Sequence, residues 1–148
     1  NNLVNLTRNK SLYESFSNQD TFSDRLIFFL FHFGFFLLVF KKNTEKEILQ
    51  EIYDYNFKQL ELSIREMGYG DVAINKKMKT YLNIFHAILD KIDNWENLSD
   101  FEKSKILSNF LNINEVKSNL IDYFNKYLLN LSNNTLNYYI KGVIKHKF

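Results

Sequence analysis

At 148 residues the chain is long enough for one domain with a single sizeable core, and its 45% apolar and 24% charged residues are those of a soluble globular protein. A net charge of +2 argues against a nucleic-acid-binding module, which ordinarily needs a strongly basic domain, and the lack of Cys excludes a disulfide framework and any thiolate metal site. Fifteen Phe and nine Tyr accompany abundant Asn, Lys and Ile, a bias of AT-rich coding rather than a set of stacking platforms. The chain opens on Asn1-Asn2 without Met, so a removed targeting segment would leave no trace in it.

With no Pro and four Gly, helices can run long and nothing punctuates a β-meander. A short first helix is expected around Leu3, Leu6, Leu12, Tyr13 and Phe16, followed by a polar turn at Ser17-Asn18-Gln19-Asp20. Asp20 or Thr21 can cap the next helix, and Asp24 suits its positive end. That helix carries Leu26 to Phe40, apolar except at His32 and Gly34. A membrane span needs about 20 apolar residues, and this run ends sooner, between Asp24-Arg25 and Lys41-Lys42. It reads as a buried central helix, with His32 a core histidine satisfied by a hydrogen bond.

Thr44-Glu45-Lys46-Glu47 has the form of a capping box. In the helix that follows, Ile48, Leu49, Ile52, Tyr53, Phe57, Leu60, Ile64 and Met67 share one broad face, opposite Asp54, Lys58, Glu61 and Arg65. Ser63 lies within the apolar arc, where a small residue permits close helix approach, and Glu66 lies at its edge, a half-buried acid in need of a partner. Gly68 is placed to stop this helix in a left-handed conformation, and Asp71 to cap the next. Arg65 and Glu66 are expected to hold the corner at Gly68 and Gly70 with neighbours from other helices, Arg25 among the candidates. A fourth helix runs from about Asp71 or Asn75 to Asp93, with Met78, Tyr81, Leu82, Phe85, Leu89 and Ile92 as its core stripe and Lys76, Lys77 and Lys79 turned away. Ser99 and Glu102 form another capping box, opening a helix to about Phe110. Asn114 can cap a helix bearing Leu120, Phe124, Tyr127, Leu128 and Leu131, and Thr135 to Lys141 makes a last short one ended by Gly142. The fold expected is all-α: one domain over 1–148, a bundle of six to seven helices around the apolar one.

No pattern proposes a reaction. His32, His86 and His146 are too far apart for a metal motif, and no nucleophile elbow, P-loop or dinucleotide-binding fingerprint occurs. Glu66 and Asp71 read as a salt-bridging acid and a helix cap rather than catalytic groups. The Lys76, Lys77, Lys79 cluster has the charge to meet an anionic membrane surface, at about 1 kcal/mol per lysine, and equally the character of a solvated face. Lys141, Lys145 and Lys147 form a second cluster.

Ser63-Ile64-Arg65-Glu66-Met67-Gly68-Tyr69-Gly70-Asp71, continuing into Lys76-Lys77-Met78-Lys79, resembles the S-L-R-E-M-G-x-G-D motif and basic K-K/R-M/V-K segment of the ubiquinol–cytochrome c chaperone family. Upstream, Arg8, Tyr13, Asp20-Thr21, Arg25 and His32 keep the order of that family's arginine, F-Y, P-D-T, G-R-F and L-H positions. Ser17-Asn18-Gln19 replaces the usual Gly-Val-Pro, Asp24 stands for Gly, Leu26 for Phe, and Phe85-His86-Ala87 for Phe-Tyr-Gly. The resemblance covers about Arg8 to Asp93. It implies a helical, non-enzymatic assembly factor without cofactor or metal, which binds newly made cytochrome b for the cytochrome bc1 complex. It further implies a peripheral post at the cytoplasmic face of a bacterial inner membrane or the matrix face of the mitochondrial one; eukaryotic members work with a small partner protein and near the ribosome. The alternative drawn from composition is a helical protein holding a quinone or lipid between aromatic-rich helices.

Overall fold

The computed structural model describes residues 3, 4, 7, 22–134 and 136. Among these are five α-helices: α1 (Phe22–Phe40), α2 (Lys46–Glu66), α3 (Asp71–Ile92), α4 (Asp100–Leu111) and α5 (Ser118–Asn133), with a 3-10 turn at Trp95–Asn97. No strand occurs among the described residues. The all-α reading holds. The count of six to seven included a first helix through Phe16 and a last one over 135–141, both of which lie essentially outside the described residues, as do Arg8, Asp20, Gly142 and the second lysine cluster.

Helix α1 is the axis of the fold. Every residue from Phe28 to Phe36 is buried, so the helix must be covered on all sides. α3, α4 and α5 pack directly on it, and α2 joins through α3 and through ring contacts. By length and composition α1 is also long and apolar enough to cross a membrane, yet over half of it is buried by the rest of the chain. Two aromatic clusters seat it. On one side Phe124 of α5 meets Phe28, Phe31 and Phe35 at centroid distances of 6.4, 5.7 and 5.6 Å. On the other, Phe33 stacks on Phe85 of α3 at 5.3 Å and meets Tyr53 and Phe57 of α2. Such pairs add about 0.5–1.5 kcal/mol each beyond their burial.

Gly34 is the point of closest approach to α3. A methyl group there would meet Ile92 Cδ1 at 3.0 Å and Ile88 Cγ2 at 3.5 Å. The glycine thus fixes how deeply the aliphatic ridge of α3 beds against α1.

His32 is fully buried and hydrogen-bonded at both ring nitrogens, as its place in an apolar run requires. Nδ1 lies 2.6 Å from the Phe28 carbonyl and Nε2 2.6 Å from the Tyr123 hydroxyl. A carbonyl only accepts, so Nδ1 carries the proton; in the neutral ring Nε2 then accepts from Tyr123. Tyr127 donates to the His32 carbonyl at 3.1 Å. Two α5 tyrosines therefore lock that helix to α1 in register. Between these tyrosines in sequence, Asn125 Oδ1 accepts from Trp95 Nε1 (2.9 Å) and from Lys103 Nζ (3.1 Å), tying α5 to the 3-10 turn and to α4.

Several local expectations are corrected. The box at Thr44 does not form: Glu45 is the N-cap, one residue later, and no side chain caps the helix. Lys117, not Asn114, is the N-cap of α5. The apolar arc of α2 is narrower than its sequence suggests, with Phe57, Leu60 and Ile64 buried while Ile48 and Met67 are exposed. The box at Ser99 and Glu102 forms as expected, each side chain accepting from the other's backbone N–H.

Replacing Tyr123 by Phe removes the hydroxyl from a buried imidazole and is expected to cost about 1–2 kcal/mol, read as a lowered denaturant midpoint with unchanged slope. Replacing Gly34 by Leu is expected to cost about 1–3 kcal/mol through overpacking, and Ile92→Val in the same chain should recover part of that loss.

Candidate functional site

The residues singled out by the sequence fall in four places. Helix α2 ends at Met67, whose N–H bonds to the Ile64 carbonyl, and Gly68 follows at φ +96° with its N–H on the Arg65 carbonyl. That left-handed conformation is the expected helix stop. Gly70 is the N-cap of α3 at φ −80°, and no side chain caps there. Asp71, expected as the cap, is instead the first helical residue. Its carboxylate accepts from the Arg65 guanidinium, bridging the end of one helix to the start of the next. Glu61 supports Arg65 from one turn back at 3.5 Å. The Asp71 hydrogen bond and charge, with Glu61 behind them, raise the Arg65 pKa further above its usual value. The cluster lies in solvent, so it orients the corner more than it stabilises it.

Glu66, expected to be half-buried, is exposed and takes no part in a salt bridge among the described residues. Ser63 is exposed too and does not serve a close helix approach; its hydroxyl donates to the Gln59 carbonyl within α2. The structure brings Ser63 together with Arg25 of α1, not with the corner: both line a cavity of about 180 Å³ with Phe22, Leu26, Asn56 and Leu60. His32 belongs to neither place and lies in the core.

Lys76 and Lys79 are exposed on α3, as expected from a core stripe now seen to consist of Ile74, Phe85, Ile88 and Ile92, with Met78, Tyr81, Leu82 and Leu89 partly covered. Lys77 departs from them. It is half-buried, with Nζ 4.5 Å from the centre of the Tyr69 ring, a cation–π contact that folds the corner loop onto the helix.

One further feature was not foreseen. The C-terminal end of α1, the start of α2 and the end of α3 enclose an open groove of about 470 Å³, floored by Leu37, Leu38, Leu49, Tyr53 and Leu89. Lys41 and Asp93 form a salt bridge of 3.1 Å at its rim. Burial raises the Tyr53 pKa, with Asp54 adding to the shift, so the phenol faces the groove uncharged at neutral pH. Nothing in the sequence signals the groove, because its residues are ordinary members of three different stripes. Among the described residues no cluster of His, Cys, Asp or Glu could hold a metal ion.

Residues 14–144 match the family model described as Ubiquinol-cytochrome C chaperone. The match extends the region of resemblance through α4 and α5. No curated protein and no solved structure is matched by the chain.

The two corner glycines are expected to behave in opposite ways. Gly68→Val forces a β-branched residue to positive φ and should lower the melting temperature clearly. Gly70→Ser supplies a side-chain cap where none exists, at a φ any residue adopts, and should be neutral or stabilising by a few tenths of a kcal/mol. Equal losses in the two variants would contradict this assignment of the turn.

Proposed function

The chain belongs to the ubiquinol–cytochrome C chaperone family, and from that membership we propose that it binds newly made cytochrome b and holds it for assembly into the cytochrome bc1 complex. The family match over 14–144 carries this reading. Features of the surface support it. Arg65 and Asp71 of the corner motif pair with each other and shape an exposed turn. A holding chaperone needs an accessible surface rather than a reaction centre, and its attachment must be reversible.

In this reading the protein is peripheral at the membrane face where cytochrome b is inserted, cytoplasmic in a bacterium or matrix-facing in a mitochondrion. The attachment runs through Lys76, Lys77 and Lys79. Two of these ammonium groups stand free on α3 and the third over Tyr69. Three cations at about 1 kcal/mol each give weak attraction to anionic lipid. A small partner protein or the ribosome would act alongside, and no nucleic acid is contacted directly. A second reading, a bound quinone or lipid chain, is favoured only by the groove of about 470 Å³ at Leu37 and Leu49, which falls in the size range of ligand sites. The aromatic side chains of α1, α2, α3 and α5 are mostly engaged with one another in the core. Stoichiometric quinone or lipid extracted from the purified protein would favour it.

Changing Lys76, Lys77 and Lys79 together to Glu is expected to leave the fold nearly intact, because Lys76 and Lys79 are exposed charges that contribute little to stability and the half-buried Lys77 gives up one cation–π contact of about 0.5–1 kcal/mol. Binding to anionic vesicles and the level of assembled bc1 complex should both fall. Wild-type values for both, with the fold preserved, would reduce the lysines to a solvated face. Cytochrome b should co-purify with the wild-type chain; its absence from the purified complex would overturn the client assignment.

A further inference from the structure

The corner between α2 and α3 presents apolar side chains that the fold leaves uncovered. Met67 is 51% exposed, Tyr69 41% and Val72 86%. They lie within six consecutive residues, on either side of two glycines that have nothing within 4 Å of where a Cβ would stand. Other exposed apolar side chains, such as Ile48, Phe101 and Leu129, are spaced singly along their helices, which is ordinary for a protein surface.

The surroundings of the corner give it a chemistry. At 100° per residue, Val72, Lys76 and Lys79 form one stripe along α3, opposite the buried Ile74, Phe85 and Ile88. Lys77 closes over Tyr69 on the flank. The neighbouring acids are mostly engaged: Asp71 and Glu61 with Arg65, and Glu61 also with Lys58. Glu66 remains. The result is a short apolar tip ringed by ammonium groups on flexible stems, which can lie along a surface while their charges stay at headgroup level. A tyrosine with one wet end is suited to that same boundary.

We propose that Met67, Tyr69 and Val72 insert into the interfacial layer of an anionic phospholipid bilayer, with Lys76, Lys77 and Lys79 meeting headgroup phosphates around them. This rests on the membrane attachment proposed above and adds a depth component to it. The two components respond differently to salt. Lysine attraction is screened within about 3 Å at 1 M ionic strength, whereas burial of apolar side chains in the acyl boundary is not.

The chain has no Cys, so a single cysteine carrying an environment-sensitive dye can be placed at will. With the dye at V72C, vesicles containing phosphatidylglycerol should shift its emission to the blue, and lipids bearing a quencher high on the acyl chain should quench it. The same dye at N109C, exposed on α4, should not respond. The double variant M67S/V72S should bind these vesicles about tenfold more weakly at 0.15 M salt and detach completely at 1 M, with unchanged melting, while the wild type stays partly bound. If the lysine-to-glutamate triple variant loses vesicle binding but the dye at 72 stays in water and M67S/V72S binds like wild type, insertion is wrong and electrostatic attachment stands. If the wild type does not bind the vesicles, both fall. If the dye at 72 responds to detergent-free client peptide and not to lipid, the tip is a protein-docking surface and insertion is overturned.

Discussion

A helix without a polar face has to be surrounded, and that requirement on α1 organises the molecule. Its nine consecutive buried residues leave no direction for water, so α3, α4 and α5 all take up positions against it. Polar interruptions in such a helix are tolerated only where they are satisfied or useful. His32 is bonded at both nitrogens, and its Tyr123 partner is 91 residues distant, so the bond exists only once α5 has docked. Gly34 removes a side chain where Ile88 and Ile92 press closest.

The core is assembled from large flat side chains, with only two Ala in the whole chain to fill gaps. Phe124 serves three α1 phenylalanines, and Phe33 is shared between α2 and α3. Rings packed edge to face and offset can fill an interior densely despite their stiffness. The aromatic content is therefore a packing solution.

The surface proposed above to carry the function is concentrated around the α2–α3 corner. Gly68 ends one helix, Arg65 reaches across to Asp71, and Lys77 draws Tyr69 against α3. These contacts are exposed and individually weak, yet they hold a turn that displays apolar and cationic groups together. The groove at the other end of α3 is lined from three helices and is chemically simpler.

The sequence by itself determined the elements and their ends wherever the cause is local. Periodicity made the chain all-α, the unbroken apolar run made α1 central, Ser99 and Glu102 made their box, and Gly68 made its left-handed stop. The corner motif also sufficed to name the family, which the match over 14–144 bears out. Only the tertiary structure decided which part of a broad stripe is covered. Ile48 and Met67 carry the same pattern as Phe57 and Ile64, but they stay exposed. It likewise decided that Asp71 pairs with Arg65 while Gly70 takes the cap, that Ser63 and Arg25 line one cavity, and that Lys77 turns to Tyr69. The physical reason is the same in each case: propensity and capping act within a few residues of the chain, whereas burial and pairing depend on where other helices have come to rest.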